Sequence, residues 1–455
     1  MKEVYSSQYE KMTEKPVNKL IIELGIPTTI SMLITSIYNL ADTYFVGQLN
    51  STSASAAVGV VFSFMAFMQA FGFMFGQGAG SNISRQLGRQ DSESASRFAS
   101  TSFFLAFGMG LLVLTLGYLF KPQLIYLLGS SDTVYPYADL YLSRLMWAAP
   151  MVMSSFVLNN ILRFEGKASL AMVGLLSGAI LNIILDPVLM FVCGMGIGGA
   201  ALATALAQTV SFGILLFMFL TGKTQSKLSI RNITHSPREL YEIIATGLPS
   251  LVRQGFASVS TMVLNHQAKI YGDAAVAAMT IVTRISMLIF SSGLGIGQGF
   301  QPVCGFNYGA KKYKRVKEAI FFTLKVACCF IGIFSLLGIL FSDKAIAIFR
   351  NDPEVIEVGV VALRFQCLAL FIIPIQVLTN MTLQSTGQKW QATFTSMLRS
   401  GIYFIPSLLI LAYFLKLRGI EMAQMVADIL SVLTCIPFMV SFIRKLDRKE
   451  AELQS

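Results

Sequence analysis

The stretch "GIPTTISML", residues 25–33, returns as "GLPSLVRQG" at 247–255. Each copy sets Gly-x-Pro near the start of an apolar run, and the step from Gly25 to Gly247 fixes an interval. The interval recurs. "GQGAGSNISRQLG" (76–88) resembles "GQGFQPVCGFNYG" (297–309), within one position of the same step. "FEGKA" (164–168) falls opposite "STGQK" (385–389), Arg144 opposite Arg364, and "DPVLMF" (186–191) opposite "IPSLLI" (405–410), a little short of the interval. A lone Gly-Gln-Gly pair carries little weight, but a register held along the chain marks an internal duplication.

Composition says what is duplicated. Hydrophobic residues make up 54% of the chain and charged residues 13%, about half the charge of a soluble domain. Mean hydropathy is +0.65. The apolar residues come in runs of about 20, the length a helix needs to cross about 30 Å of hydrocarbon. The runs are continuous rather than alternating, which argues against barrel strands. Twelve spans result: 20–45, 58–78, 98–120, 136–158, 169–193, 198–220, 242–268, 275–300, 318–341, 355–380, 390–415 and 420–442. The segment ahead of the first span, Met1 to Lys19, is polar and carries no cleavable signal pattern.

The expected fold is an all-α integral membrane protein with twelve transmembrane helices in two six-helix lobes. Residues 1–221 form the N-lobe, 222–241 a polar cytoplasmic linker, and 242–455 the C-lobe with its tail. Six is even, so both halves enter the membrane from the same side. Such parallel repeats are related by a pseudo-two-fold along the membrane normal, a transporter architecture.

Charge gives the orientation. Counted by alternating loops, about 23 lysines and arginines fall on the face holding the termini and about six on the other. That asymmetry predicts cytoplasmic N- and C-termini. The net charge of +11 then reports topology and contact with anionic lipid heads rather than nucleic acid. The six cysteines, Cys193, Cys304, Cys328, Cys329, Cys367 and Cys435, lie in or beside apolar spans with no C-x-x-C, and read as packing thiols.

Two acids stand out inside the spans. From the helical rise, Asp42 lies about 24 Å and Asp186 about 26 Å above the cytoplasmic boundary, both in the outer half of the bilayer. Tyr38 is four residues before Asp42 and Asn182 four before Asp186, so each pair shares a helix face. Thr204 enters the sixth span at a similar depth, and Pro187 loosens the helix after Asp186. Two carboxylates in a poorly solvated cleft resist ionising together. Such a pair takes up a proton or ligates Na⁺, so Asp42, Asp186, Tyr38, Asn182 and Thr204 are the candidate ion-coupling set. Alternatively, Asp42 caps or snorkels at its helix end and Asp186 bonds a backbone amide.

The second half offers no counterpart to either acid; its deep charges are basic, Arg253, Arg284 and Arg399. Flexible Met- and Phe-rich walls surround Gln69 on the second span and Arg284 on the eighth, where Met287 follows. Gln69, Arg284 and Met287 are the candidate substrate contacts.

Taken jointly, "ADTYFVGQL" (41–49), "FGQGAGSNISRQLG" (75–88), "LNIILDPVLMF" (181–191) and "GIGGAALATA" (196–205) resemble the multidrug and toxic compound extrusion (MATE) transporters over essentially the whole chain. The bacterial multidrug-exporter branch matches best. The resemblance implies H⁺- or Na⁺-coupled antiport of amphipathic, cationic drugs or toxic metabolites across the bacterial cytoplasmic membrane, by rocking of the lobes. It implies no cofactor beyond the coupling cation, and Asp42 and Asp186 as the coupling acids. The chain departs from the branch with acids on the seventh and tenth spans, carrying Arg253, Gln254, Gln366 and Gln376 there. The expected partners are a small-molecule substrate and the lipid bilayer, with the chain acting as a monomer. The alternative is a flippase for a lipid-linked or anionic amphiphile, suggested by the arginines. No H-E-x-x-H, G-x-S-x-G or Gly-Lys-Ser/Thr signature appears, so no enzymatic activity is expected.

Overall fold

The computed structural model describes residues 2–49 and 51–454, with side chains for all of these except 2–7, 39, 40, 43, 52, 55 and 454. No strand occurs among the described residues. Each of the twelve expected spans is helical. In the first half they are Val17–Gly47, Thr52–Gly88, Ser92–Leu119, Tyr135–Met146 with Ala149–Phe164, Ala168–Pro187 continued by a π turn at Val188–Val192, and Gly196–Leu220. In the second half they are Pro237–Lys269, Asp273–Gly309, Tyr313–Leu340, Pro353–Leu370 with Ile373–Ser385, Lys389–Met397 joined by a π turn (Leu398–Ile402) to Phe404–Leu415, and Leu417–Gln454.

Several helices run well beyond the apolar core that locates them. The second and eighth are 37 residues long and extend past their spans into the repeated Gly-Gln-Gly segment. Among the described residues nine helices are individually long and apolar enough to cross a membrane, and two bent pairs bring the number to eleven. The seventh span is the exception, because Arg253 and Gln254 break its apolar run.

The duplication is visible element by element. The fourth span bends by 54° between its halves and the tenth by 51°. Each second half carries proline in its first turn, Pro150 and Pro374. A ring nitrogen there cannot continue the hydrogen-bond ladder of the preceding half, so the helix must restart. A short surface helix follows the third span (Lys121–Leu127), and another follows the ninth (Ser342–Phe349) at the equivalent place in the repeat.

The chain forms two compact units, Met1–Tyr9 with Ile30–Gly247, and Glu10–Thr29 with Leu248–Ser455. The division therefore runs inside the first and seventh spans, whereas the sequence suggested a break at the 222–241 linker. That linker belongs to the first unit. The opening stretches explain the placement. In the second unit, a Cβ on Gly299 would overlap the backbone of Gly25, and the Thr28 hydroxyl donates to the Gly295 carbonyl at 2.6 Å. In the first unit, a Cβ on Gly78 would overlap the Ile243 carbonyl, and one on Gly247 the Met74 carbonyl. The repeated Gly-Gln-Gly and Gly-x-Pro segments are thus the two sides of one helix crossing, built once in each unit. Only glycine lets the backbones approach so closely.

The linker is tied down by hydroxyls of the third span. Ser96, Ser100 and Thr101 accept from the backbone N–H of Lys227 (3.0 Å), Ser229 (3.1 Å) and Thr234 (2.9 Å). The buried Glu165, at the end of the fourth span, accepts from the N–H groups of Gln225 (2.8 Å) and Ser226 (2.7 Å). A segment that forms almost no helix of its own still has these backbone donors paired.

Candidate functional site

The acid cluster lies in the first unit, built by the first, fourth, fifth and sixth spans. Asp186 is fully buried near the end of the fifth helix, one residue before Pro187. Asn182, one turn earlier, donates through Nδ2 to Asp186 Oδ1 at 3.3 Å and to Thr204 Oγ1 of the sixth span at 3.2 Å. The i, i+4 spacing read from the sequence is therefore a real side-chain contact, and Thr204 closes it from the neighbouring helix. Tyr38 is buried on the first span and lies within electrostatic range of both Asp42 and Asp186. Asp186 in turn feels the charge of Asp42. All five residues named from the sequence come together.

One member escaped the sequence reading. Tyr141 of the fourth span is buried and lies close to Thr204, Asp42, Asp186 and Tyr38. Nothing in "YADLYLSRLM" (137–146) sets this tyrosine apart from Tyr135 or Tyr137.

Two carboxylate oxygens in the cluster, Asp42 Oδ1 and Asp186 Oδ2, are buried without a hydrogen-bond partner among the described residues, as is Asn182 Oδ1. Buried polar atoms are normally satisfied, and leaving a carboxylate oxygen bare is costly. Three acceptors with no donor leave room for a donor or a cation. A proton on either carboxylate would supply an O–H, and a bound monovalent cation would be ligated by the same oxygens.

The candidate substrate contacts are dispersed. Gln69 is half-buried in the first unit, whereas Arg284 and Met287 are exposed on the eighth span in the second. Neither Arg253 nor Arg284 has a hydrogen-bond or ion-pair partner among the described residues.

The second unit corrects one expectation, that its deep charges are only basic. Asp428 of the twelfth span is fully buried and paired with Arg399, Nε to Oδ1 at 2.9 Å and Nη2 to Oδ2 at 3.4 Å. Gln424, four residues earlier, donates to the same Oδ1 at 2.6 Å. The pattern of an amide four residues before a lone acid is the one that singled out Asn182 and Asp186, and it was legible in "AQMVADILS" (423–431).

Comparison with known proteins follows the same duplication. The family model described as MatE matches twice, over residues 27–188 and 249–410. The two matches are offset by the step that separates Gly25 from Gly247, and each starts on the proline of Gly-x-Pro. The multidrug export protein MepA of Staphylococcus aureus is 27% identical over 440 residues, 96% of each chain. MepA of Staphylococcus haemolyticus is 26% identical over 94% of each. Among solved structures, an outward-facing multidrug resistance MATE family transporter of the MOP superfamily superposes with a TM-score of 0.91 at 26% identity, covering 96% of this chain and 98% of the other. A MOP superfamily transporter from Pyrococcus furiosus, described as having a binding pocket of reverse polarity, gives 0.89 at 26% with the same coverage. With both halves matched in the register of its own internal repeat, this chain belongs to the MatE family.

Proposed function

We propose that the protein is a secondary antiporter that exports amphipathic, cationic compounds across the bacterial cytoplasmic membrane, driven by H⁺ or Na⁺ exchanged at Asp42 and Asp186. The observation that carries the reading is the joined cluster, with the Asn182 amide bridging Asp186 and Thr204 while two buried carboxylate oxygens lack partners among the described residues. Ion uptake satisfies those oxygens and removes net negative charge from a buried site, a differential interaction that can bias alternating access. Tyr38 and Tyr141 supply hydroxyls around the acids, and Pro187 lets the carrying helix yield. Support for the exported class comes from the MepA relatives, which are named as multidrug export proteins.

The flippase reading loses part of its basis. Of the three deep arginines that suggested an anionic cargo, Arg399 is neutralised within the fold by Asp428. In the proposed arrangement the chain works as a monomer with both termini in the cytoplasm, as its charge asymmetry favours.

The test is dye efflux from cells, and from proteoliposomes under an imposed pH or Na⁺ gradient, with wild type, Asp42→Asn and Asp186→Asn. Each substitution is expected to lower gradient-driven efflux at least about tenfold. Full gradient-dependent efflux in both variants would remove the coupling assignment. The gradient that drives the wild type identifies the ion.

A further inference from the structure

Asp428 and Arg399 form a charged pair within the second unit that the coupling cluster does not use. The pair is costly to bury, and apolar residues of similar volume would serve packing as well. Its surroundings are those of a cation site. The Arg399 guanidinium lies 4.2 Å from the centroid of the Phe290 ring, so a flat cation rests on an aromatic face and is bonded by a carboxylate. Asp428 Oδ1 is satisfied twice, by Arg399 and Gln424, but Oδ2 receives only the long 3.4 Å contact and has capacity to spare. Arg399 sits on the π turn that interrupts the eleventh span, a local unwinding common at functional positions. Its side chain keeps 18% of its surface accessible, against 1% for Asp428.

Phe290 also lines a small apolar crevice with room for about one water, together with Gly293, Gly297, Thr323 and Pro374. The Thr323 hydroxyl is buried there with no partner among the described residues. A carboxylate beside an aromatic face recognises a planar organic cation.

We propose that the slot formed by Asp428, Gln424 and Phe290 is a recognition site for a planar organic cation, which enters in exchange for the guanidinium of Arg399. The proposal deepens the export reading, and rests on it, by naming a substrate contact in the second unit. Its first test does not require transport.

In the purified full-length Arg399→Ala variant, millimolar guanidinium chloride should raise the melting temperature saturably. Equal sodium chloride should not, and the wild type should not respond. A guanidinium response no greater than the salt control would overturn the proposal. The second test uses ethidium binding, followed by fluorescence, in Arg399→Gln and Asp428→Asn. Freeing the carboxylate should tighten binding about tenfold and removing it should weaken binding about tenfold. A purely structural pair would shift both variants in the same direction or leave affinity unchanged, and either result would overturn the proposal. If guanidinium rescues Arg399→Ala while the wild type moves no cation in proteoliposomes, the slot stands and the export reading fails. If cations move but the two substitutions act alike, export stands and the slot fails.

Discussion

Asn182 holds the acid cluster together with a single amide group. Its two contacts, to Asp186 and to Thr204, come from one nitrogen. Thr204→Val keeps the shape and removes one acceptor of that amide, beside Tyr141. It should therefore slow efflux severalfold without abolishing it, unlike Asp186→Asn, because both acids remain. Efflux at the wild-type rate in Thr204→Val and in Tyr141→Phe would confine the ion site to the two carboxylates. Outside the membrane, Asp91 caps the third span by accepting from the Ser94 N–H at 2.9 Å. Burial alone would push its carboxyl up, but the hydrogen bonds from Ser94 and the nearby Arg97 outweigh it and hold the carboxyl below its usual range. For an acid with a depressed folded-state value, the stabilisation is present above the unfolded value, about pH 4, and is lost as pH falls through the depressed one. Asp91→Ala should cost about 1 kcal/mol at neutral pH. Melting in detergent should show the difference from wild type shrinking below about pH 4.

At the level of elements, the strapped linker makes a sharp prediction. Glu165 is raised above its usual range by burial, partly opposed by the Gln225 and Ser226 hydrogen bonds and by Lys167. Glu165→Leu would leave two backbone donors unpaired at a cost of about 1–3 kcal/mol each. Limited proteolysis between residues 222 and 235 should then become faster while the spans stay intact; unchanged cleavage would mean that the third-span hydroxyls suffice. Gly78→Ala should be far worse than an exposed glycine change such as Gly59→Ala, because its Cβ meets a carbonyl oxygen that belongs to another helix. Folded yield after detergent extraction checks it. These elements also show what the sequence could and could not reveal. Spans and repeat were legible because hydrophobic run length and a fixed repeat interval are one-dimensional signals. The Asn182–Asp186 contact was legible because both residues share one helix face. Tyr141 was hidden, because its place depends on how the fourth span packs against the sixth. The Arg399–Asp428 pair lies across two helices, and arginines read singly looked like an unbalanced positive field.

For the whole molecule, the orientation can be tested without a structure. In a cysteine-free background, Ser236→Cys in the linker and Ser131→Cys between the third and fourth spans lie on opposite faces in the proposed topology. A membrane-impermeant maleimide added to intact cells should label only the position-131 variant. Labelling at position 236 instead would invert the assignment. Purified protein should also run as a single-chain particle by light scattering. The division of the chain inside its first and seventh helices has a further consequence. A gene cut at the linker yields two six-span polypeptides, and each lacks the short helical piece that fills the glycine notch of its own unit: Gly78 loses Ile243, and Gly299 loses Gly25. Neither half alone is a finished fold, whereas the two produced together can complete each other. Each unit is thus closed by a helix start encoded in the other half of the sequence.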